Sequence, residues 1–343
     1  MLTKGEIEEI REHLNKAQNP LFFFDNDADG LCSFLLLRRF IQRGKGVAIR
    51  SFPDLNVSYF RKVQELKPDY IFVLDKPIIA DSFVEEAKKL NIPLVWIDHH
   101  DIGEVSKDIY YYNPTRARGN NVPTTFLCYQ VSQKKEDKWI ALCGCIADGF
   151  LPDFSEDIRM EYPELWRSVQ TAFQGVYTTE LGKLTRIFSF ALKDRTSHVV
   201  TMIKYLSSIK SPYDILDEKK AHQMLFRFNQ VDSKYQKLIQ KAESFVKKGN
   251  LLYFQYGGEL SLSADVSNEL IYRHPDKVVV VVYIKGVKAN ISLRGSMDVR
   301  TLTDEAIKGI EGATGGGHLH ATGAQMQVED LPKFKENLER LAK

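Results

Sequence analysis

Short apolar runs alternate with amphipathic stretches through the first hundred residues of the chain. Four runs have the length of strands, and the three stretches between them have the apolar spacing of helices. In chain order these segments are residues 21–24, 31–43, 47–52, 59–66, 70–74, 82–90 and 94–97. Alternating strands and helices are typical of a parallel sheet covered by helices, and such sheets carry their functional sites at the carboxyl ends of the strands. The first part of the chain is therefore predicted to have an α/β fold with a site at that edge.

The pattern changes after Asp153. Residues 158–206 and 219–248 have helical spacing, and the remaining segments mix strands and helices. The predicted strands are 251–255, 260–262, 278–284, 289–293 and 324–328, the predicted helices are 266–272, 300–310 and 331–341, and a glycine-rich turn is predicted at 315–317. This predicts a parallel-sheet N-terminal domain joined by helices to a smaller α+β C-terminal domain. The expected division is a domain over residues 1–195, a helical linker over 196–248 and a second domain over 249–343.

Composition adds two limits. Hydrophobic residues make up 43% of the chain and charged residues 27%, as in an ordinary globular protein. The formal net charge of +2 provides no overall basic field, so phosphate binding must come from local clusters or from metal ions, which leaves short or single-stranded substrates open. The apolar runs are far shorter than the roughly 20 residues of a membrane helix, and the four cysteines are expected to be buried free thiols. We expect a cytoplasmic protein without a membrane partner.

An acidic cluster follows the first predicted strand. Asp25, Asp27 and Asp29 stand at alternating positions before Gly30 and an apolar helix. Three carboxylates so close together repel one another unless a cation is bound, and oxygen ligands of this kind suit manganese or magnesium. A calcium-binding EF-hand loop is excluded, because its twelfth position would be Leu36 where a glutamate is required.

Three further polar elements end other segments. Asp75 ends the third predicted strand, Asp98-His99-His100 ends the fourth, and Asp148 follows an apolar helical stretch. Each element alone has a simpler explanation, such as a helix cap or a packed pair of histidines. Four such elements at the ends of strands and helices in one α/β domain favour a common metal site.

The segments DNDADG, VLDKP, WIDHH and GCIADG resemble, in this order, the four motifs of the DHH phosphoesterase superfamily. The later segment GATGGGHLHATG resembles the GGGH motif of the DHH-associated C-terminal domain. The family includes RecJ-type single-strand exonucleases, oligoribonucleases that also act on phosphoadenosine phosphate, and cyclic-dinucleotide phosphodiesterases. The acidic opening motif is more similar to that of RecJ and its archaeal relatives than to that of the oligoribonucleases.

The resemblance implies a two-metal centre. Asp27 and Asp75 would hold one ion, with Asp25 as an additional ligand, while Asp29, His99 and Asp148 would join Asp75 at the second. Asp98 and His100 would orient ligands or contact phosphate, and the resemblance leaves open which histidine binds metal. The expected cofactors are two divalent ions, manganese before magnesium, which together activate water for attack on phosphorus. The implied catalytic residues are Asp27, Asp29, Asp75, Asp98, His99, His100 and Asp148.

Substrate recognition is expected in the second domain. The backbone N–H groups of Gly315, Gly316 and Gly317 can approach an anion closely, although such glycines also occur in ordinary tight turns. His318 can donate to phosphate, and Arg294 can form a bidentate contact with one. Two arginines after the DHH motif either reach substrate or belong to a solvated loop, namely Arg116 and Arg118.

These features predict a two-metal phosphodiesterase acting on single-stranded DNA or RNA or on short oligonucleotides, as an exonuclease or nano-RNase. A small-nucleotide phosphodiesterase, acting on cyclic dinucleotides or phosphoadenosine phosphate, is the alternative. A non-catalytic replication scaffold is less favoured, because such relatives lose metal ligands while this chain keeps every expected carboxylate. Homodimer formation stays open.

Overall fold

A computed structural model of the chain describes residues 1–49, 55–115, 119, 122–246 and 249–342. The chain forms two compact units, Met1–Phe228 and Asn229–Lys343. The boundary between them falls within a long helix, His222–Glu243. The predicted three-part division at residues 195 and 248 stays a prediction. No helix among the described residues is both long enough and apolar enough to cross a membrane.

The first unit contains a parallel five-stranded sheet. Its strands are β1 (Pro20–Asp25), β2 (Lys45–Ile49), β3 (Tyr70–Leu74), β4 (Leu94–Ile97) and β5 (Tyr110–Tyr112). They lie in the order β2-β1-β3-β4-β5, and every neighbouring pair is parallel. The chain therefore moves to one side of β1 to form β2 and to the other side to form β3. This confirms the predicted α/β class, although the sequence pattern did not predict β5.

Helices surround this sheet and extend the first unit. They are α1 (Lys4–Lys16), α2 (Ala28–Ile41), α3 (Phe60–Leu66), α4 (Asp81–Lys89), α5 (Thr124–Ser132), α6 (Lys138–Ala147), α7 (Ser155–Glu161), α8 (Ala172–Thr178), α9 (Glu180–Ala191), α10 (Thr196–Leu206), α11 (Tyr213–Leu216) and α12 (His222–Glu243). The region predicted to be helical over residues 158–206 is occupied by four separate helices, from α7 to α10. Thr171 and Thr179 cap two of them, with side chains that accept hydrogen bonds from backbone N–H groups.

The apolar run of β1 packs on both faces of the sheet. Phe22 and Phe24 contact Phe34 of α2 on one face, with ring centroids 5.5 and 5.0 Å apart. Phe23 points to the other face, where it contacts Phe83 of α4 at 5.5 Å. All of these side chains are buried. A central parallel strand covered on both faces needs such an uninterrupted apolar sequence, and its burial fixes the position of the acidic residues that follow.

The second unit contains a mixed five-stranded sheet. Its elements are β6 (Leu251–Gly257), α13 (Ser263–Arg273), β7 (Val278–Lys285), β8 (Lys288–Arg294), α14 (Val299–Ile307), β9 (Thr314–His318), β10 (Ala321–Gln327) and α15 (Leu331–Leu341). The strand order is β6-β7-β8-β10-β9, with β6 and β7 parallel and the other pairs antiparallel. Residues of α14 and α15 form an apolar core with one face of the sheet. This confirms the predicted mixed α and β composition of the C-terminal region.

Two local predictions for the second unit are wrong. Residues 315–317 are not a turn, because they lie within the edge strand β9 and pair with β10. Residues 260–262 form no strand and instead lead into helix α13. The glycines of 315–317 have little local preference, so pairing with β10 decides their structure, whereas a three-residue apolar pattern at 260–262 is too short to indicate a strand.

Gly30 provides a test of how tightly α2 approaches β1. A Cβ atom at this position would lie 2.4 Å from the carbonyl oxygen of Asp25. We expect Gly30→Ala to reduce the free energy of unfolding by about 1–3 kcal/mol, because the backbone of the acidic loop would have to move. The control is Gly5→Ala in α1, where the new atom would meet only Thr3 Oγ1 at 4.0 Å. That change should be neutral or stabilise by up to about 1 kcal/mol. Equal denaturation midpoints for the two variants would contradict the close approach.

Candidate metal centre

The acidic residues converge where the direction of chain crossover reverses. Strands β1 and β3 are neighbours, and the connections that leave them run to opposite sides of the sheet. A crevice opens at such a point outside the carboxyl ends of the strands. Asp25 is the last residue of β1, Asp75 follows β3, and His99 comes two residues after the end of β4. The sheet therefore brings together side chains that are up to 74 positions apart in the sequence.

Asp75 occupies an uncommon backbone conformation. Its φ of +56° lies in the left-handed region, which costs a non-glycine residue about 1–2 kcal/mol, although aspartate and asparagine adopt it more readily than most. Its backbone N–H still donates to the carbonyl of Ile97 at 3.1 Å, so β3 and β4 stay paired up to this point. The sharp turn ends the strand and holds the buried carboxylate of Asp75 at the edge of the sheet.

Among the described residues of the first unit, three groups of side chains could hold metal ions. The first consists of Asp25, Asp27 and Asp75, each of which offers a carboxylate oxygen within 4.8 Å of the others. Asp75 also lies beside the second group, which includes His99, because its Oδ1 is 3.4 Å from Nε2 of that histidine. One buried carboxylate therefore stands between the two groups, as a ligand shared by two ions would.

The second group consists of Asp29, His99 and Asp148, whose potential ligand atoms also lie within 4.8 Å of one another. Nε2 of His99 is 3.9 Å from Oδ2 of Asp29 and 3.7 Å from Oδ2 of Asp148. His99 and Asp29 are buried, whereas the side chain of Asp148 is 41% exposed. The group is thus open to solvent on the side of Asp148.

Helix α5 fixes the carboxylate of Asp29. The backbone N–H groups of Thr124 and Thr125 donate to its two oxygens at 3.0 and 2.7 Å, and the hydroxyl of Thr125 donates to its carbonyl at 2.9 Å. The hydroxyl of Thr124 also donates to Oδ1 of Asp75 at 3.3 Å. The first turn of a helix has N–H groups without partners in the helix, so it favours a carboxylate at this place. These contacts orient Asp29 while leaving lone pairs on its oxygens for a metal ion.

The third group consists of Asp75, Asp98 and His100, and Asp98 and His100 are also hydrogen-bonded to each other. Oδ1 of the fully buried Asp98 lies 2.8 Å from Nδ1 of His100, and Oδ2 accepts a hydrogen bond from the His100 backbone at 3.1 Å. A carboxylate beside Nδ1 favours the tautomer that carries its proton on that atom. In this tautomer Nε2 is the acceptor atom of the ring. Asn113 holds the same segment through a 2.7 Å hydrogen bond to the carbonyl of His100. Asp98 therefore orients His100. Both histidines lie close to Asp75, His99 with its Nε2 at 3.4 Å from Oδ1 and His100 as a member of the third group.

The crowding of charges changes the protonation of the centre. Asp27 reaches solvent, yet desolvation by the surrounding protein, together with the carboxylates of Asp25 and Asp29, raises its pKa to about 7. Burial and the charges of Asp29 and Asp27 raise the pKa of Asp75 well above its ordinary value. Burial alone would lower the pKa of His99, but the facing carboxylates outweigh burial and raise it. Without metal the centre therefore retains protons near neutral pH.

This donor set fits divalent metal ions. Five carboxylates supply hard oxygen ligands, and one imidazole adds a nitrogen, which are ligand types that bind divalent ions in proteins. The retained protons indicate that the centre lacks positive charge. A bound cation would supply that charge, and the carboxylates could then ionise. The residues of the first two groups that could hold metal are Asp25, Asp27, Asp29, Asp75, His99 and Asp148, and Asp98 and His100 of the third group could also do so.

The predicted recognition residues of the second unit lie on neighbouring strands. Arg294 of β8 is directly opposite Ala321 of β10, which is directly opposite His318 of β9, so the three side chains share one face of the sheet. Nε of Arg294 donates to Asn268 at 2.6 Å, and its Nη1 donates to the carbonyl of Thr322 at 3.2 Å. The arginine is therefore held in place by α13 and β10.

The three glycines of β9 are exposed and differ in what they require. Gly317 has a φ of +139°, and a Cβ there would lie 2.5 Å from the carbonyl oxygen of Ala321, so the local backbone needs glycine. Gly316 has open space around the position of a Cβ, with nothing described within 4 Å. Gly315 packs against α14, where a Cβ would meet Ile307 and Thr303 at 3.1 Å.

The structure thus brings the predicted residues of the first unit together around Asp75, and it brings Arg294 and His318 onto one face of the second sheet. Arg116 and Arg118 lie outside the described residues. Sequence reasoning missed Lys76, Thr124 and Thr125. Lys76 stood within the VLDKP motif, and the threonines follow Pro123 at a recognisable helix start. Their partners Asp25 and Asp29 are 51 and 95 residues away, so no local signal linked them.

Two family models match the chain. The model described as the DHH family, N-terminal domain, matches residues 21–149, and the model of the DHHA1 domain matches residues 249–343. The first match contains all of the carboxylates of the candidate metal centre together with His99 and His100, and the second contains Arg294, His318 and the glycine strand. A search of the curated proteins found no match.

Several solved structures share the fold. A RecJ exonuclease bound to manganese is similar over 100% of this chain and 95% of its own, with a TM-score of 0.62 and 14% identity. RecJ from Thermus thermophilus in complex with Mn2+ is 16% identical at a TM-score of 0.62, and this chain spans 55% of its length. A DHH domain described as a member of the s1p family of ribosomal proteins has a TM-score of 0.70 at 14% identity, over 98% of this chain and 90% of its own. At these identities the likeness establishes the fold.

The retained protons make a prediction about pH. A divalent ion must displace the protons held by Asp27, Asp75 and His99, so its affinity should decrease as the pH falls. We expect the Mn2+ affinity to fall by at least about tenfold per pH unit below about pH 7, the pKa of Asp27. Calorimetric titration in two buffers of different ionisation enthalpy measures both the affinity and the number of protons released. An affinity that does not change with pH, without proton release, would contradict this electrostatic account.

Proposed function

This chain belongs to the DHH superfamily of phosphoesterases and carries a DHHA1 domain, and we propose that it is a two-metal phosphodiesterase acting on single-stranded nucleic acid or short oligonucleotides. As a DHH phosphoesterase it is a metal-dependent hydrolase. The observation that carries the finer proposal is the position of Asp75, between a group that includes Asp25 and Asp27 and a group that includes His99. Two ligand groups that are adjacent at Asp75 support two ions, and Mn2+ is favoured by the imidazole donor.

The protein residues have separate tasks in this proposal. Asp25, Asp27 and Asp75 would hold one ion, and Asp75 would share the other with Asp29, His99 and Asp148. When bound, the two ions supply an activated water and neutralise charge on the phosphate. Thr124 and Thr125 keep Asp29 oriented. The left-handed backbone conformation of Asp75 holds its buried carboxylate at the edge of the sheet. His100, held by Asp98 through Nδ1, offers Nε2 as a group that contacts phosphate or carries a proton to the leaving oxygen.

The second unit is proposed to recognise a substrate phosphate. Arg294 and His318 share a face, and both can donate to phosphate oxygens. Gly316 supports this role, since it is exposed and no described atom requires the absence of a side chain there. An edge strand without side chains lets backbone N–H groups approach an anion. Arg116 and Arg118 stay in the proposal as additional phosphate contacts on the basis of sequence alone.

A small-nucleotide phosphodiesterase is the second candidate. The formal net charge of only +2 favours it, because long nucleic acids are usually held by many basic contacts. The two candidates separate on substrates: single-stranded DNA and RNA of graded length, labelled at either end, against cyclic dinucleotides and phosphoadenosine phosphate, all with Mn2+. Hydrolysis of oligomers from one end supports the first candidate, and hydrolysis of the small nucleotides alone supports the second. A lack of hydrolysis of all these phosphate esters would contradict both.

Asp75 provides the sharpest test of catalysis. Asp75→Asn keeps the size of the side chain and tolerates the left-handed backbone, but it removes the charge that would be shared by two ions. We expect turnover to fall by at least about 10³-fold, with an unchanged circular dichroism spectrum, because charge stabilisation by metals contributes several kcal/mol. Asp153→Asn, which changes an exposed carboxylate five residues after Asp148, is the matched control and should keep the original rate. Near-normal turnover by Asp75→Asn would show that the ligand set is wrong.

Arg294 tests recognition separately from metal binding. A charge-assisted hydrogen bond contributes about 1.5–3 kcal/mol, so Arg294→Ala should raise KM for a short single-stranded substrate by about 10- to 100-fold. Its Mn2+ affinity should equal that of the original protein, because the proposed metal ligands Asp25, Asp27, Asp29, Asp75, His99 and Asp148 are all in the first unit. Arg340→Ala on the exposed side of α15 is the control for loss of an arginine. Unchanged kinetics on every substrate would remove Arg294 from the recognition site.

A further inference from the structure

Lys76 is a completely buried lysine beside the candidate metal centre. It follows Asp75 directly, and its Nζ lies 3.3 Å from Oδ1 of Asp25. Its backbone carbonyl accepts a 2.9 Å hydrogen bond from Nε1 of Trp96, which anchors the residue at the end of β4. A buried ammonium is costly unless negative charge faces it. The carboxylate of Asp25 provides that charge, so the two side chains depend on each other.

The formal charges of the centre show how the ammonium of Lys76 changes its net charge. When all are ionised, as metal ligands must be, the candidate carboxylate ligands carry five negative charges, on Asp25, Asp27, Asp29, Asp75 and Asp148. One ammonium reduces the total to four, which is the charge of two divalent cations. Removing the ammonium leaves an uncompensated negative charge with both ions present and a larger excess without them. Lys76 therefore affects the metal-free centre more than the metal-filled one.

The position of the ammonium also distinguishes the two ligand groups. Lys76 contacts Asp25, which belongs to the first group, with Asp27 and Asp75. An ion in that group must approach a carboxylate whose Oδ1 already faces a positive charge. In the second group Asp29 is instead held by the neutral N–H groups of α5. A fixed positive charge repels a divalent ion much more strongly than neutral N–H dipoles do, at these short distances.

We propose that Lys76 is a positioning residue that competes with a divalent ion for Asp25, stabilising the metal-free centre and making the Asp25–Asp27–Asp75 group the weaker of two metal sites. This inference rests on the proposed two-metal function. It implies that one ion binds tightly through Asp29, His99 and Asp148, and that the other is exchanged more readily. The ammonium then acts as an internal substitute for part of the missing charge.

The test is a calorimetric titration of chelator-stripped protein with Mn2+ alone, combined with Tm measurements in excess chelator and in saturating Mn2+. Lys76→Met removes the charge and keeps the length of the side chain. We expect the weaker Mn2+ binding step to tighten by at least about tenfold, because the competing charge is gone. The Tm in chelator should fall by at least about 6 °C, and Mn2+ should restore most of that loss. Lys76→Arg, which keeps the charge, should bind Mn2+ more like the original protein.

A double variant and a matched control separate this role from simple packing. Asp25→Asn combined with Lys76→Met removes both charges, so its Tm in chelator should recover towards the original value. Arg39→Met removes a buried cation from a different ion pair, with Asp137, and its Tm should fall equally with and without Mn2+. If Lys76→Met fails to fold in chelator, folding of the double variant there supports the proposal, and failure of both variants to fold overturns it.

Two results would overturn the proposal. An equal Tm loss with and without Mn2+, at unchanged metal affinity, would make Lys76 a packing residue only. Weakened Mn2+ binding by Lys76→Met would mean that the ammonium supports a ligand rather than competing for it. Failure of the underlying function is recognisable separately, because the unaltered protein would then bind fewer than two Mn2+ ions.

Discussion

Mutual repulsion among carboxylates is the constraint on which the rest of this centre depends. Asp25, Asp27 and Asp75 form one close group, and Asp29 and Asp148 belong to a second group with His99. Such a concentration of charge persists in a folded protein only if positive charge, protons or hydrogen bonds compensate it. The chain uses each of these. An ammonium faces Asp25, N–H groups of α5 face Asp29, and raised pKa values keep protons on Asp27 and Asp75.

Apolar side chains buried on both faces of the sheet stabilise the fold against the repulsion between these carboxylates. The phenylalanines of β1 are packed on both faces, so the strand cannot shift to relieve the repulsion at its end. The reversal of crossover direction between β1 and β3 leaves room at their carboxyl ends, where a covering helix would otherwise lie. The left-handed turn at Asp75 then adds a local cost at the residue that stands between both ligand groups. The packing of the core thus offsets the local cost of the backbone conformation of Asp75.

Much of the first unit could be predicted from sequence because its signals are local. Four apolar runs of strand length indicated the parallel sheet, and the acidic residue or DHH motif directly after three of them indicated the edge that carries the site. The supporting contacts could not be predicted, since Thr124 and Lys76 act on residues far away in the sequence. The glycine strand shows a different limit. Gly315–Gly317 has no intrinsic preference for a strand, and only pairing with β10 makes it one.

The central claim is that two ions share the carboxylate of Asp75. Electron paramagnetic resonance of the protein with two equivalents of Mn2+ tests it directly, because two Mn2+ ions about 3.5–4 Å apart, joined by a common ligand, couple magnetically. The account predicts the spectrum of a coupled pair, which Asp75→Asn replaces with that of isolated ions. Isolated Mn2+ alone in the unaltered protein, at full occupancy, would contradict the shared centre.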